Sequence, residues 1–243
     1  MVKLTINGRK ITAEKGTYVL YAARDNNIHI PTLCENEAVE PYGACRLCLA
    51  EIKTARGRER LVTTCLYPVE EGLTVRTDTE RIQNIRRMLL ELLLARCPDS
   101  EVIQNMAREA GVGKLRLTRR TGNNLCILCA NCARTCEEVV GVSAISLAKR
   151  GVERELTTPF NADFSEACIG CGSCAYSCPT GAITVADRDG TRLLKWPHNR
   201  MDFKMRKCSV CGSYWAPEKQ IEYIAKISGT PLSDYDACPD CRD

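Results

Sequence analysis

Two stretches of the chain repeat one cysteine spacing, C-x2-C-x2-C-x3-C. The first runs from Cys126 to Cys136 and the second from Cys168 to Cys178. Cysteines so close together are poorly placed for long-loop disulfides, because neighbouring thiols converge on one point instead of bridging distant segments. The repeat therefore predicts two turns of chain wrapped around metal centres.

This spacing is typical of chains that hold two [4Fe-4S] clusters, in which the fourth cysteine of each run binds the cluster of the other run. Glu137 follows the first run where Pro179 follows the second, and this difference removes no ligand. The predicted ligand sets are Cys126, Cys129, Cys132 and Cys178 for one cluster, and Cys136, Cys168, Cys171 and Cys174 for the other.

Another cysteine set lies nearer the start of the chain, with the spacing C-x10-C-x2-C-x16-C. Its members are Cys34, Cys45, Cys48 and Cys65. Four thiolates can hold a [2Fe-2S] cluster, two on each iron, and a structural zinc site is the alternative. We predict the [2Fe-2S] cluster, because the flanking sequence has the pattern of a β-grasp domain.

A last set has the spacing C-x2-C-x26-C-x2-C and consists of Cys208, Cys211, Cys238 and Cys241. Two such pairs suit tetrahedral zinc, but a fourth iron-sulfur cluster is the open alternative. The remaining cysteine, Cys97, is predicted to be a buried structural thiol. The two histidines, His29 and His198, are not predicted to be ligands.

Residues 1–79 predict a small mixed sheet with one helix. An alternating apolar run leads into Asn7-Gly8, which predicts a β-hairpin. Thr17 is a candidate helix cap, and residues 61–65 and 73–75 are the further strand candidates.

The rest of the chain divides by pattern into a helical connector (80–124), a two-cluster ferredoxin-like domain (125–200) and a four-cysteine tail (201–243). The connector breaks at Pro98, and Asp189-Gly190 predicts another hairpin. The fold class predicted for the whole chain is α+β. The apolar face of the connector is predicted to comprise Ile82, Ile85, Met88, Leu89 and Leu92.

The composition limits where such a chain can work. Its 17 cysteines require a reducing compartment if they bind metals, and its start has no signal-peptide pattern, so we expect a cytoplasmic protein. No apolar segment approaches the length of a membrane span. The net charge of +4 is too mild to indicate a nucleic-acid partner.

The chain has no G-x-G-x-x-G or Walker motif and no recognisable flavin motif. We therefore predict no catalytic residues. One-electron transfer through clusters, within a larger oxidoreductase complex, is the predicted chemistry.

The order of these motifs over residues 1–190 resembles the iron-sulfur diaphorase subunit of NAD(P)-linked hydrogenases, including electron-bifurcating ones. It is also similar to the N-terminal region of the large iron-sulfur subunit of NADH:quinone oxidoreductase and of multimeric iron-only hydrogenases. The resemblance implies three partners: an NAD(P)H- and FMN-binding iron-sulfur subunit, a thioredoxin-like [2Fe-2S] subunit, and a hydrogenase or other terminal oxidoreductase. The tail would suit complexes that also use ferredoxin.

There are two departures from this pattern. Many relatives hold a further cluster on one histidine and three cysteines in the connector, where this sequence has only Cys97, so we expect that cluster to be absent. The sequence also ends at Asp243 without a continuing catalytic domain, which favours a dedicated subunit.

Three other readings compete with this one. The iron-sulfur subunit of a formate dehydrogenase or of a fumarate reductase-like complex is the nearest, although the fumarate reductase type has a shorter first cysteine spacing. A zinc-knuckle scaffold protein is the alternative from another class, and the duplicated run argues against it. A self-sufficient enzyme would need a cofactor pocket for which the sequence has no signature.

Overall fold

The computed structural model describes residues 1–113, 115–119, 124–158, 165–197 and 199–242, so His198 lies outside the described residues. The chain forms two compact units, Met1–Ala130 and Asn131–Asp243, and the division falls inside the first cysteine run. No helix among the described residues has both the length and the apolar character needed to cross a bilayer.

The first unit contains a five-stranded sheet and one short helix. Its elements are β1 (Val2–Ile6), β2 (Arg9–Ala13), α1 (Val19–Asp25), β3 (Leu49–Lys53), β4 (Glu59–Thr63) and β5 (Thr74–Arg76). The strand order is β2-β1-β5-β3-β4, with β1 and β5 parallel and the other pairs antiparallel. The predicted hairpin at Asn7-Gly8 is confirmed, and both turn residues have positive φ, 49° and 80°.

One strand of this unit was missed, and one predicted helix cap was wrong. Strand β3 was not predicted, although Ala50 and Ile52 alternate inward along it. Thr17 does not cap α1, because the helix begins at Val19 after an extended Tyr18. The main-chain carbonyls of Tyr67 and Thr64 accept hydrogen bonds from the amides of Val19 and Leu20 instead, so no side-chain cap is needed.

The connector forms two helices, α2 (Glu80–Arg96) and α3 (Glu101–Glu109), broken at Pro98 as predicted. The hydroxyls of Thr79 and Ser100 accept hydrogen bonds from the third amide of each helix. The predicted apolar face was partly wrong, since Met88 and Leu92 are 57% and 50% exposed. The face that packs inward carries Ile82, Leu89, Leu90, Leu93 and Leu94.

The second unit combines short helices with two antiparallel sheets. Its helices are α4 (Asn131–Arg134), α5 (Ser173–Tyr176) and α6 (Glu218–Ser228), and a π-helical turn, Thr135–Val139, follows α4. Its strands are β6 (Ser146–Ala148), β7 (Glu155–Thr157), β8 (Thr184–Arg188), β9 (Thr191–Lys195), β10 (Arg200–Lys207) and β11 (Tyr214–Pro217).

Strands β6 and β7 pair with each other, and the other four form a sheet of order β11-β10-β9-β8. The predicted turn at Asp189-Gly190 joins β8 to β9, with positive φ at both residues. Strand β10 pairs with β9 on one side and β11 on the other. The sheet thus continues from the segment after the second cysteine run directly into the tail.

Candidate metal centres

The four cysteines of the first set lie in the sheet unit and are all buried. They form two close pairs. The sulfurs of Cys48 and Cys65 are 3.4 Å apart, and the side chains of Cys34 and Cys45 are hydrogen-bonded to each other. The Cys45 amide also donates to the Cys34 sulfur at 3.3 Å. Two thiol pairs with an amide donor are the arrangement that a [2Fe-2S] cluster requires, with two thiolates on each iron.

Each pair contains one thiol with a lowered pKa and one with a raised pKa. The hydrogen bond with Cys34 lowers the pKa of Cys45 to about 6, and the one with Cys65 lowers the pKa of Cys48 to about 7. The same bonds, together with burial, raise the pKa of Cys34 and of Cys65. Binding of a metal removes the thiol protons that remain, because the thiolate is the ligand.

Arg86 of α2 braces the loop that carries Cys48. Its guanidinium donates to the carbonyl oxygens of Leu47 and Leu49 at 2.9 Å each, and to that of Thr77 at 2.7 Å. Burial lowers the pKa of Arg86, and the charge of Cys48 opposes that effect. Sequence reasoning missed this residue, because a lone arginine within an apolar helical stripe carries no motif.

We expect Arg86→Met to lower the free energy of unfolding by about 2 kcal/mol or more, because it leaves three carbonyl oxygens without their donor. Loss of the positive charge should also lower the reduction potential of the [2Fe-2S] cluster. Chemical denaturation and a redox titration followed by electron paramagnetic resonance (EPR) measure the two effects. Arg87→Met, at an exposed neighbour, is the control; equal results for both variants would contradict the role of Arg86.

One predicted cluster set comes together around a single cavity in the second unit. Cys136, on the π-helical turn, lines this cavity with Cys168, Cys171 and Cys174 of the other run. The remaining wall is mostly apolar and includes Val142, Ile145, Ile169, Leu194 and Trp196. The fold thus places the last cysteine of one run among the first three of the other, which is the arrangement that crossed ligation needs.

The donors around this cavity fit a negatively charged iron-sulfur cluster. The Ala144 amide donates to the Cys136 sulfur at 3.2 Å. The indole Nε1 of Trp196 is buried without an acceptor in normal hydrogen-bond geometry. Burial raises the pKa of Cys168 to about 11 and that of Cys174 to about 12, and Trp196 opposes the rise at Cys174. Thiols this reluctant to ionise alone are stabilised as thiolates by bound metal.

The two cysteine runs share an unusual backbone conformation. Leu128 and Ala130 have φ of 56° and 67°, and the equivalent positions of the second run, Gly170 and Gly172, have φ of 72° and 80°. A left-handed conformation costs a non-glycine residue roughly 1–2 kcal/mol. The first run thus adopts the same loop as the second despite this strain, as is usual at functional sites.

The other predicted cluster set has its members in both units, so each half is described separately. In the first unit Cys129 is buried, and the Arg96 guanidinium donates to the Cys126 carbonyl at 3.2 Å. In the second unit Cys132 is buried, and the Cys178 sulfur accepts a hydrogen bond from the Ala182 amide at 3.2 Å. Assignment of these four cysteines to one cluster stays a prediction.

The four tail cysteines form one close group. The sulfurs of Cys208, Cys211, Cys238 and Cys241 all lie within 4.8 Å of one another. Amides of Val210, Cys211 and Cys238 donate to the Cys208 sulfur at 3.2 to 3.5 Å. These backbone donors lower the pKa of Cys208 to about 6. The tail is therefore organised to bind a metal ion.

Cys97 and His29, which were not predicted to be ligands, have different environments. Cys97 is fully buried in the connector core, as predicted, beside Leu90 and Ile103. His29 is exposed. Arg192 was missed: it forms an ion pair with Asp187 and reaches the carbonyl oxygens of Gly170 and Cys171 at 3.4 Å. No spacing rule in the sequence predicts such contacts.

Comparison with family models finds two iron-sulfur domains in this chain. Residues 1–80 match the model of a 2Fe-2S iron-sulfur cluster binding domain, and residues 164–184 match that of a 4Fe-4S binding domain.

Several curated proteins are similar to most of this chain. The NADPH-Fe(3+) oxidoreductase subunit alpha of Geobacter sulfurreducens is 36% identical over 210 residues, covering 75% of this chain and 24% of its own length. A subunit of an NADH-quinone oxidoreductase of Rhizobium meliloti is 33% identical over 208 residues, with the same coverage of both chains. This chain thus spans about a quarter of the length of these relatives.

A hydrogenase subunit and a solved structure extend the similarity. The NADP-reducing hydrogenase subunit HndD of Solidesulfovibrio fructosivorans is 29% identical over 212 residues, covering 75% of this chain and 36% of its own length. A chain of an NAD+-reducing [NiFe]-hydrogenase in the H2-reduced state superposes with a TM-score of 0.60 and 26% identity. The match covers 74% of this chain and 85% of that one.

Proposed function

We propose that this chain, which is similar to subunits of an NADPH-Fe(3+) oxidoreductase, an NADH-quinone oxidoreductase and an NADP-reducing hydrogenase, relays single electrons through iron-sulfur clusters. The electrons pass between an NAD(P)H- and FMN-binding iron-sulfur subunit and a hydrogenase or similar oxidoreductase module. The observation that supports this most directly is the cavity where Cys136 meets Cys168, Cys171 and Cys174 beside the Trp196 indole.

The proposed complement is one [2Fe-2S] cluster in a β-grasp domain and two [4Fe-4S] clusters, with a separate four-cysteine metal site in the tail. The ligand sets are those predicted from the spacing. When bound, the clusters supply the one-electron chemistry. The protein's own groups bury the sulfurs and donate N–H groups to them, and the arginines brace the loops that carry them.

The proposed partners follow from the relatives, whose names describe them as subunits of larger assemblies. A thioredoxin-like [2Fe-2S] subunit and, in a bifurcating complex, ferredoxin complete the proposed set. Because cysteines that bind metals need a reducing compartment, we propose that the chain works in the cytoplasm.

Anaerobically purified, flavin-free chain tests the relay. We expect about ten irons in clusters per chain. Protein reduced with dithionite and then desalted should pass electrons to a viologen dye of suitable potential. NADH alone should leave the visible absorption of the oxidised protein unchanged, because the chain has no recognisable nucleotide or flavin motif. Steady NADH oxidation by the chain alone would overturn the proposal, as would a brown protein that exchanges no electrons with any dye.

A further inference from the structure

We propose that the tail cysteines hold one tetrahedral zinc ion, and that this site is a structural centre outside the electron path. The inference rests on the spacing of the sulfurs, and it is independent of the relay function. The site comprises Cys208 and Cys211 on one knuckle and Cys238 and Cys241 on the other.

The distances between sulfurs distinguish one metal ion from a cluster. Four zinc–sulfur bonds of about 2.3 Å in a tetrahedron place the sulfurs roughly 3.8 Å apart. The Cys211 and Cys238 sulfurs, one from each knuckle, are 3.8 Å apart, and no pair in the group exceeds 4.8 Å. In a [4Fe-4S] cluster each thiolate extends outward from its own iron. The distance between two cysteine sulfurs is therefore longer by the full iron–iron separation. The sulfurs of the four tail cysteines lie too close together for a [4Fe-4S] cluster.

The cavity cysteines provide an internal comparison. Among the residues that the structure describes, the tail is the only group of three or more ligand-type side chains within 4.8 Å of one another. Cys136, Cys168, Cys171 and Cys174 line one cavity but are not gathered so closely. The same chain thus has a wider four-cysteine arrangement where a cluster is proposed and a tighter one in the tail.

Hydrogen bonds and stacking hold the two knuckles together. The Cys208 amide donates to the Ser213 carbonyl, and the Ser209 amide donates to the Asp236 carbonyl of the other knuckle, each at 2.8 Å. The Arg242 guanidinium lies over the rings of Trp215 and Tyr235, 5.3 and 4.7 Å from their centroids. Four protein ligands on a braced frame leave no open position, which is typical of structural zinc.

The choice of zinc over a single iron rests on exposure and affinity. Cys211 is exposed to solvent, so a bound metal would lie close to the surface. Zinc keeps one oxidation state at such an exposed site, whereas thiolate-bound iron changes its oxidation state. A site of given ligands also binds zinc(II) more tightly than iron(II).

The inference is tested by metal and sulfide analysis of the Cys211→Ser/Cys241→Ser double variant, purified anaerobically. Cys211 and Cys241 are the less buried pair of the four, so the fold should survive their replacement. We expect the variant to lose one zinc per chain and to keep all of its iron, sulfide and dye-reducing activity. Loss of about four irons with sulfide would overturn the proposal, and loss of a single iron without sulfide would overturn the assignment of zinc.

The control is Cys174→Ser, which should lose iron and keep zinc. Failure of the relay proposal would appear as absent dye reduction with zinc still bound, so the two proposals fail separately.

Discussion

Replacing Cys136 and Cys174 together by serine is expected to remove about four of the roughly ten irons per chain, and no more than either single replacement removes. The two cysteines come from different runs but line one cavity. With crossed ligation they hold the same cluster. If each run held its own cluster, the double variant would instead lose about eight irons.

Iron and sulfide analysis, with EPR of the reduced protein, measures this loss. Cys97→Ala is the matched control, because Cys97 is also buried and belongs to no predicted ligand set. The control should keep its full iron content. A double variant that loses twice the iron of the singles would contradict crossed ligation, and one that loses none would remove this cavity from the candidate sites.

Gly170→Ala is expected to destabilise the second unit by about 2–5 kcal/mol. Gly170 lies between Cys168 and Cys171 with φ of 72°, and a Cβ there would lie 2.6 to 2.9 Å from ring carbons of Phe203. The backbone strain accounts for roughly 1–2 kcal/mol. Overpacking against a ring that is itself buried adds about 1–3 kcal/mol.

Gly181→Ala separates these two contributions. Its φ is 65°, but nothing lies within 4 Å of an added Cβ, so only the backbone strain should appear. Anaerobic chemical denaturation of both variants compares them. Replacing Phe203 by leucine in the Gly170→Ala chain should recover part of the lost stability. Equal losses in the two alanine variants would show that contact with Phe203 does not matter.

Short-range rules predicted much of this molecule. The Asn7-Gly8 and Asp189-Gly190 hairpins follow from residues that tolerate positive φ, and the connector breaks where Pro98 cannot continue a helix. In each case the information lies within a few residues of the feature.

Features that depend on distant parts of the chain were missed. Arg86 reaches carbonyl oxygens 37 and 39 residues away, and Arg192 reaches the loop between Cys168 and Cys171. Strand β3 is short and gains its place through pairing with β4 and β5. The Thr17 prediction was wrong because a neighbouring main-chain segment, not a side chain, satisfied the helix amides. Such contacts exist only once the chain has folded.

Strand β10 connects the tail metal site to the loop that carries the cluster ligands. Phe203 on this strand backs Gly170 in the cluster loop, and Cys208 follows directly after the strand ends. A metal bound by Cys208 therefore fixes one end of the strand against which the cluster loop packs. Insertion of an iron-sulfur cluster into an already braced loop demands less ordering of the chain than insertion into a loose one. Because pairing with β9 also holds β10 in place, the tail metal adds to this order without being required for cluster binding.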